Sequence, residues 1–184
     1  MPVVAEREQL PVAEARAGDP AAWNVLFKRY QLPLYVFVFE LLHNEQASLD
    51  VVQETFIRAV RHIRGLRDDA RFSSWLFGIA HQQCVQHWRR SSREQESLGE
   101  LAHTPEGVSE DPGEMLIRRE QEEEFMRLLN RLPETQRAVL LLHYLEDFTL
   151  EEIADTVDAP IGTVKSRLHH ARRALRSLME KAAP

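Results

Sequence analysis

Thr149-Leu-Glu-Glu-Ile-Ala-Asp-Thr-Val-Asp-Ala-Pro-Ile-Gly-Thr-Val-Lys-Ser-Arg-Leu-His-His-Ala-Arg-Arg-Ala-Leu-Arg176 carries the pattern of two helices joined by a tight turn. Thr149 with Glu152 three residues later forms a capping box, and Leu150, Ile153, Ala154 and Val157 recur at the spacing that places them on one helical face. That helix is expected to end at Val157. Asp158-Ala159-Pro160 then turns the chain, because Asp tolerates a left-handed backbone and the residue before Pro is pushed out of the helical region. Thr163 is positioned to cap a second helix. In that helix Val164, Leu168, Ala171 and Leu175 point inward. Lys165, Ser166, Arg167, His169, His170, Arg172, Arg173 and Arg176 are left for solvent or phosphate.

Charge decides between those two uses. From Ile161 onward the chain has six Lys or Arg against one acid, Glu180, whereas the whole sequence holds 23 basic and 29 acidic residues. A solvated helix has no need of that local excess. Cations concentrated on a second helix neutralise DNA phosphates, and residues near that helix's N-terminus are the ones that reach base edges in the major groove.

The same charge count divides the chain. Residues 93–114 hold seven acids and one base, with Pro and Gly breakers and no apolar periodicity, and read as a flexible linker. Residues 1–92 and 115–184 are each within one charge of neutral. Asp111-Pro112-Gly113-Glu114 then resembles an N-cap, a Pro at the first helical position and a Glu at N3, restarting helix. The N-terminus lacks the basic start and apolar run of a signal peptide, and no apolar stretch approaches the ~18 residues of a membrane span. A cytoplasmic protein without membrane insertion is therefore expected, and the lone Cys84 fits a reducing compartment.

Upstream of the linker the periodicity is helical throughout. Asp19-Pro20 caps a helix carrying Trp23, Leu26, Phe27, Tyr30 and Leu34; Val51, Val52, Thr55, Phe56, Ala59, Val60 and Ile63 mark a second. After the loop from Gly65 to Phe72, Ser73 or Ser74 can cap a third helix running to about Arg90, with Leu76, Ala80, Cys84 and Trp88 on one stripe. No period-two alternation appears. The expected fold is all-α: two small helical domains joined by an acidic flexible linker, the second containing the helix-turn-helix. The third helix also carries Trp75, Phe77, Gln82, Gln86 and Arg89. About half of its rings suit a core, while the remaining aromatic, amide and guanidinium groups are those that an unstacked single-stranded base requires.

Several motifs now line up in order. Asp50-Val-Val-Gln-Glu-Thr-Phe-Ile-Arg58, Phe72-Ser-Ser-Trp-Leu-Phe-Gly-Ile-Ala80, Leu132-Pro-Glu-Thr-Gln-Arg-Ala-Val-Leu140 and Gly162-Thr-Val-Lys-Ser-Arg-Leu-His-His-Ala-Arg-Arg173 resemble an extracytoplasmic-function sigma factor of the sigma-70 family. The resemblance covers about residues 18–92 and 118–180. It implies a bacterial alternative RNA polymerase subunit, not an enzyme and without a cofactor. Its 1–92 domain would bind core polymerase and recognise and melt the minus-10 element; its 115–184 domain would bind the minus-35 duplex. Asp50, Gln53, Glu54 and Phe56 would dock on the beta-prime clamp coiled coil, with the beta subunit a further contact. Leu66, Arg67, Asp68, Asp69, Arg71 and Phe72, with Trp75, Phe77, Gln82, Gln86 and Arg89, would hold the minus-10 strand. His143, Thr163, Lys165, Ser166, Arg167, His169, His170, Arg172, Arg173 and Arg176 would bind the minus-35 element. The linker would thread the polymerase channels, and an anti-sigma protein would hold the factor inactive.

Departures from the family pattern also carry expectations. Ala80-His81-Gln82 stands where Ala-Arg-Asn is frequent, Gln86 where Asp is frequent, and His143 and His170 where Arg is common. Neutral imidazole is a weaker guanine or phosphate partner than Arg, so minus-35 binding is expected to be weaker or to depend on pH near 6.5. Two rivals fit less. A polymerase-independent helix-turn-helix regulator leaves the first domain and the Asp50–Arg58 motif unused. A metal enzyme built on His81, Cys84 and His87 spreads its ligands over roughly 120° of helix, too wide for a compact tetrahedral site. No metal site is expected.

Overall fold

The computed structural model describes residues 10–98 and 126–182. Every regular element among them is helical. The first unit comprises α1 (Val12–Ala17), α2 (Pro20–Leu42), α3 (Glu45–His62), two short 3₁₀ turns (Ile63–Gly65 and Asp69–Arg71) and α4 (Phe72–Leu98). The second comprises a helical turn at 126–129, α5 (Glu134–Tyr144), α6 (Leu150–Thr156) and α7 (Ile161–Ala182).

Local chemistry explains most boundaries. Asp19 accepts the Ala21 amide at 2.9 Å with Pro20 at the first helical position, as expected. α2 stops at His43, whose left-handed φ of 49° and amide bond to the Phe39 carbonyl close the last turn; Asn44 then caps α3 through the Ala47 amide at 2.8 Å. The capping box of Thr149 and Glu152 is present in full, and Asp158 takes the expected left-handed conformation at φ 49°.

Three boundaries differ from the sequence expectation. Thr163 does not cap α7: the Pro160 carbonyl accepts from both the Thr163 and Val164 amides, so the helix begins at Ile161 and Thr163 lies in its first turn. Neither Ser73 nor Ser74 caps α4, because the 3₁₀ turn ending at Arg71 feeds directly into it at Phe72. α4 also continues to Leu98, eight residues past the expected end and into the segment read as linker. The rest of that segment and the helix restart expected at Asp111–Glu114 lie outside the described residues.

α2, α3 and α4 pack on one another around Leu26, Leu34, Phe37, Phe72, Leu76 and Phe77, all fully buried. A polar pair crosses this core without penalty: Gln83 donates to Thr55 Oγ1 at 2.9 Å, and Thr55 donates to the Val51 carbonyl. α7 lies on α5 and α6 through Val164, Leu168, Ala171 and Leu175, the four positions assigned inward from the sequence. Two expected core positions face solvent instead. Phe27 and Val60 are 42% and 53% exposed.

The two units meet along a seam of α4 against α6 and α2 against α5. Thr156 donates to the Ser74 carbonyl at 3.1 Å, and Gly78 sits opposite it, where a Cβ would meet the Thr156 carbonyl at 3.6 Å. Phe148 places its ring edge-on to Phe77 at 5.4 Å. At the far end the Arg137 guanidinium donates to the Glu40 carbonyl at 3.2 Å and contacts His43 Nε2. Burial holds the Glu40 carboxyl above its usual range, opposed by Arg137; burial and then Arg137 push His43 down.

His81, buried at 7% exposure, stands at the same seam. Burial and, second, the Arg167 guanidinium lower its pKa from 6.5 to about 4. The unfolded chain binds a proton at this position as pH falls through 6.5, while the folded chain resists until about 4. Stability is thus intact above 6.5 and lost progressively below it. The expected loss is about 2 kcal/mol at pH 5 relative to pH 7. Glu40 and Glu146, raised by burial, act in the opposite sense, so the comparison with His81→Gln isolates the histidine. Chemical denaturation at both pH values should show a smaller acid loss in the variant; equal losses would contradict the assignment.

Candidate nucleic-acid interface

α7 presents the cationic face read from its sequence. Lys165, Ser166, His169, His170, Arg172, Arg173 and Arg176 are exposed, and Thr163 and Arg167 are half-buried. Arg167 differs from the exposed cations in being half-buried, and its charge is the second cause, after burial, that lowers the pKa of His81. Arg172 is held rather than free: its Nε donates to the Tyr144 hydroxyl at 2.8 Å, and its guanidinium lies over that ring at 5.4 Å. Tyr144 in turn meets His143 edge-on at 4.8 Å. Sequence reading missed Tyr144, since a Tyr 28 residues from Arg172 shares no period with it. His143 is half-buried, with its Nδ1 3.4 Å from the Phe148 carbonyl.

A second candidate surface runs from the loop after α3 onto α4. Arg67, Asp68, Asp69 and Arg71 are exposed, as are Gln82, Gln86 and Arg89, while Trp75 is half-buried. Phe72 and Phe77 are withdrawn from this surface: both are fully buried, Phe72 against Tyr30 and Trp75, Phe77 against Phe37 and Phe148. They brace the surface from behind. Leu66 is likewise an anchor, 9% exposed. Asp68 caps the second 3₁₀ turn through the Ala70 amide at 3.0 Å. A cleft of about 320 Å³ opens here, lined by Leu66, Arg71, Trp75 and Gln82 from the first unit and by Asp155 and Thr156 from α6.

Arg71 spans that cleft and pairs with Asp155. Both side chains are more than half exposed, so the pair contributes only about 0–1 kcal/mol. The buried Thr156 hydroxyl bond and the Phe77–Phe148 contact contribute about 1 kcal/mol each. Packing holds the seam, and the ion pair occupies a guanidinium that could otherwise bind phosphate.

A third surface lies on α3. Asp50 and Gln53 are exposed; Glu54 is half-buried and bonds Arg58 at 2.8 Å. Phe56 belongs to the core, 8% exposed and 4.9 Å from Phe27, so it supports this face instead of presenting itself. Leu49, Ile57 and Val60, between 38% and 53% exposed, share the stripe with Gln53 at spacings of three and four residues. The sequence pattern gave no warning, because an apolar residue at helical spacing reads as core.

His81, Cys84 and His87 share α4 at spacings of three and six residues. His81 and Cys84 are buried, the Cys84 thiol is pushed up to about 12 by burial, and no group of three metal-ligating residues exists among the described residues.

Family models for Sigma-70 region 2 and Sigma-70 region 4 match residues 26–94 and 122–175. The chain is 32% identical over 178 residues to the RNA polymerase sigma-H factor of Pseudomonas aeruginosa, covering 92% of each. It is 31% identical over 176 residues to the ECF RNA polymerase sigma-E factor of Escherichia coli K12, covering 91% of this chain and 92% of the relative. The chain belongs to the extracytoplasmic-function sigma factors of the sigma-70 family. Among solved structures it is similar to the sigma factor RpoE of Bartonella quintana, in complex with the anti-sigma factor NepR, at 26% identity and TM-score 0.68 over 84% of this chain and 94% of that one. The sigma factor's region 2 is thus α2 to α4, and its region 4 is the helix-turn-helix unit. It is an alternative RNA polymerase sigma factor, acting in transcription initiation by promoter recognition. α1 lies upstream of the region 2 match.

Proposed function

We propose that the three surfaces divide the work of initiation. The α3 stripe docks on the beta-prime clamp coiled coil, with Asp50, Gln53 and Glu54 giving register. Leu49, Ile57 and Val60 supply the apolar area, and Phe56 backs them. The loop 66–72 with Trp75, Gln82, Gln86 and Arg89 takes the minus-10 strand. The α7 face takes the minus-35 duplex. The beta subunit is a further polymerase contact, and the acidic segment 93–114 passes through the polymerase channels. Bond chemistry belongs to the polymerase, with no catalytic or cofactor role for this chain. An anti-sigma protein restrains the factor, a reading supported by the complex in which its Bartonella relative was solved. The factor acts in the cytoplasm, a reading supported by its family; no helix among the described residues is long and apolar enough to cross a membrane.

The observation that carries this reading is the exposed cationic side of α7 in a chain of net charge −6, with Val164, Leu168, Ala171 and Leu175 buried on the opposite side. Geometry adds a condition. Promoter elements centred 10 and 35 base pairs upstream lie ~85 Å apart at 3.4 Å per base pair. Here the units that carry the two candidate surfaces pack against each other, with Arg71 of the minus-10 loop paired to Asp155 of α6. The seam must part before both elements are engaged.

Reconstitution with core polymerase and run-off transcription from a promoter library tests the function. The wild type is expected to yield promoters with paired elements; specific duplex binding with no effect on transcription by core polymerase would overturn it. For docking, Ile57→Asp and Gln53→Ala should each weaken core binding while leaving helicity and minus-35 binding intact. Unchanged affinity in a titration of core polymerase would remove the α3 assignment.

On α7, Lys165 and Arg167 lie near the helix start and Arg173 and Arg176 further along. Arg167→Ala or Lys165→Ala should cost about 1–3 kcal/mol at particular minus-35 base pairs and relax preference there. Arg173→Ala or Arg176→Ala should weaken all sequences alike and flatten the salt dependence by about one unit of slope. Binding to single-base variants at two salt concentrations distinguishes the two; uniform loss for Arg167→Ala and Lys165→Ala would place specificity elsewhere.

A further inference from the structure

Outside the region 2 match, α1 makes one connection of unusual reach. The Arg16 guanidinium donates to the Leu66 carbonyl at 3.1 Å and pairs with the Asp69 carboxylate, 50 and 53 residues away. The loop's other bonds at these positions are local: the Leu66 amide to the Ile63 carbonyl, the Ala70 amide to Asp68, and the Arg71 amide to the Asp68 carbonyl. Local bonds of this kind shape each 3₁₀ turn, but they do not set where the loop lies on the domain.

Arg16 is itself rigidly mounted. Val12 and Ala15 are each 1% exposed, Trp23 Nε1 donates to the Ala15 carbonyl at 3.0 Å, and Gly18, at φ 94°, closes α1 with its amide on the Ala15 carbonyl. A long side chain fixed at its base and bonded at two points at its tip is a strut between α1 and the loop. The Arg16 Nε is buried without a hydrogen-bond partner, so the side chain is held against the loop even though one donor goes unmet.

The other end of the loop is tied to the second unit through Arg71 and Asp155. That tie is lost when the seam parts. We propose that Arg16 is a positioning residue for minus-10 recognition, bridging the Leu66 carbonyl and the Asp69 carboxylate so that the loop keeps its shape once region 4 has moved away. This rests on the reading of loop 66–72 as the minus-10 element. A loop misplaced by ~1 Å loses up to ~100-fold in a step that depends on geometry, so the effect belongs to base discrimination and opening rather than to docking.

The test uses full-length protein assembled with core polymerase on promoters substituted singly across the minus-10 element, with open-complex formation followed by permanganate reactivity. Arg16→Ala should reduce discrimination between the preferred and substituted bases by about tenfold. Core affinity and duplex minus-35 binding should be unchanged. Arg16→Lys, which keeps the charge and a donor, should recover part of the loss, and Arg16→Ala with Asp69→Asn should be no worse than Arg16→Ala alone. Asp69→Asn tests the same strut if Arg16→Ala fails to fold, since it retains the carbonyl bond. Loop variants Arg67→Ala and Asp68→Ala separate the strut from the loop's own part in minus-10 recognition. If they alter discrimination and neither Arg16→Ala nor Asp69→Asn does, the positioning role is overturned; if no loop variant alters it, the minus-10 reading falls, and the role with it.

Discussion

The contact of Thr156 with Ser74 across Gly78 is the constraint on which the arrangement of this molecule depends. Threonine buries a hydroxyl at the end of α6, whose single proton is shared between the Glu152 carbonyl of its own helix at 2.7 Å and the Ser74 carbonyl of α4 at 3.1 Å. At position 78 a Cβ would just touch the Thr156 carbonyl at 3.6 Å, so an alanine fits the approach, whereas a large side chain would hold α6 away from α4. With that distance fixed, Phe148 reaches Phe77, Asp155 reaches Arg71, and Arg167 comes close enough to His81 to oppose its protonation. The candidate minus-10 loop is thereby tied to α6 of the region 4 unit, while the cationic face of α7 stays exposed.

Electrostatics make this closed arrangement compatible with opening. The chain is acidic overall, yet α7 leaves Lys165, Arg173 and Arg176 exposed, so attraction to DNA survives closure. Few strong terms hold the seam. An exposed ion pair contributes little, and the larger contributions come from one buried hydroxyl bond, one aromatic contact and the Arg137 cluster. Such an interface can yield to the larger areas that polymerase and promoter supply.

Helix existence, the Thr149–Glu152 capping box, the left-handed Asp158 and the inward face of α7 were all legible in the sequence, because each depends on residues within two turns of one another. So was the family, from ordered motifs. What escaped depends on tertiary partners. Val60 and Phe27 fit the core period yet stay exposed, on a face that the period alone does not distinguish from the core. Phe72 and Phe77 have the chemistry of base-stacking residues and lie buried, because Tyr30, Phe37 and Phe148 arrive from distant positions. The Arg16 strut and the Tyr144 seat for Arg172 span 28 to 53 residues, a range over which periodicity carries no information. α4 outran its expected end because the residues from Ser91 to Leu98 contain no Pro or Gly and are tolerated within a helix despite their polarity.

The central claim is that the factor is closed when free and must open to act. It is tested most directly by the distance between spin labels at Arg64 and Ser177, both exposed and one on each unit, with the buried Cys84 left unreacted. Pulsed electron-paramagnetic-resonance measurements on the free protein should give one short, narrow distance. The promoter complex with core polymerase should lengthen it by tens of ångströms, as elements ~85 Å apart require. A long or broad distance in the free protein, or the same short distance on the promoter, would contradict the account.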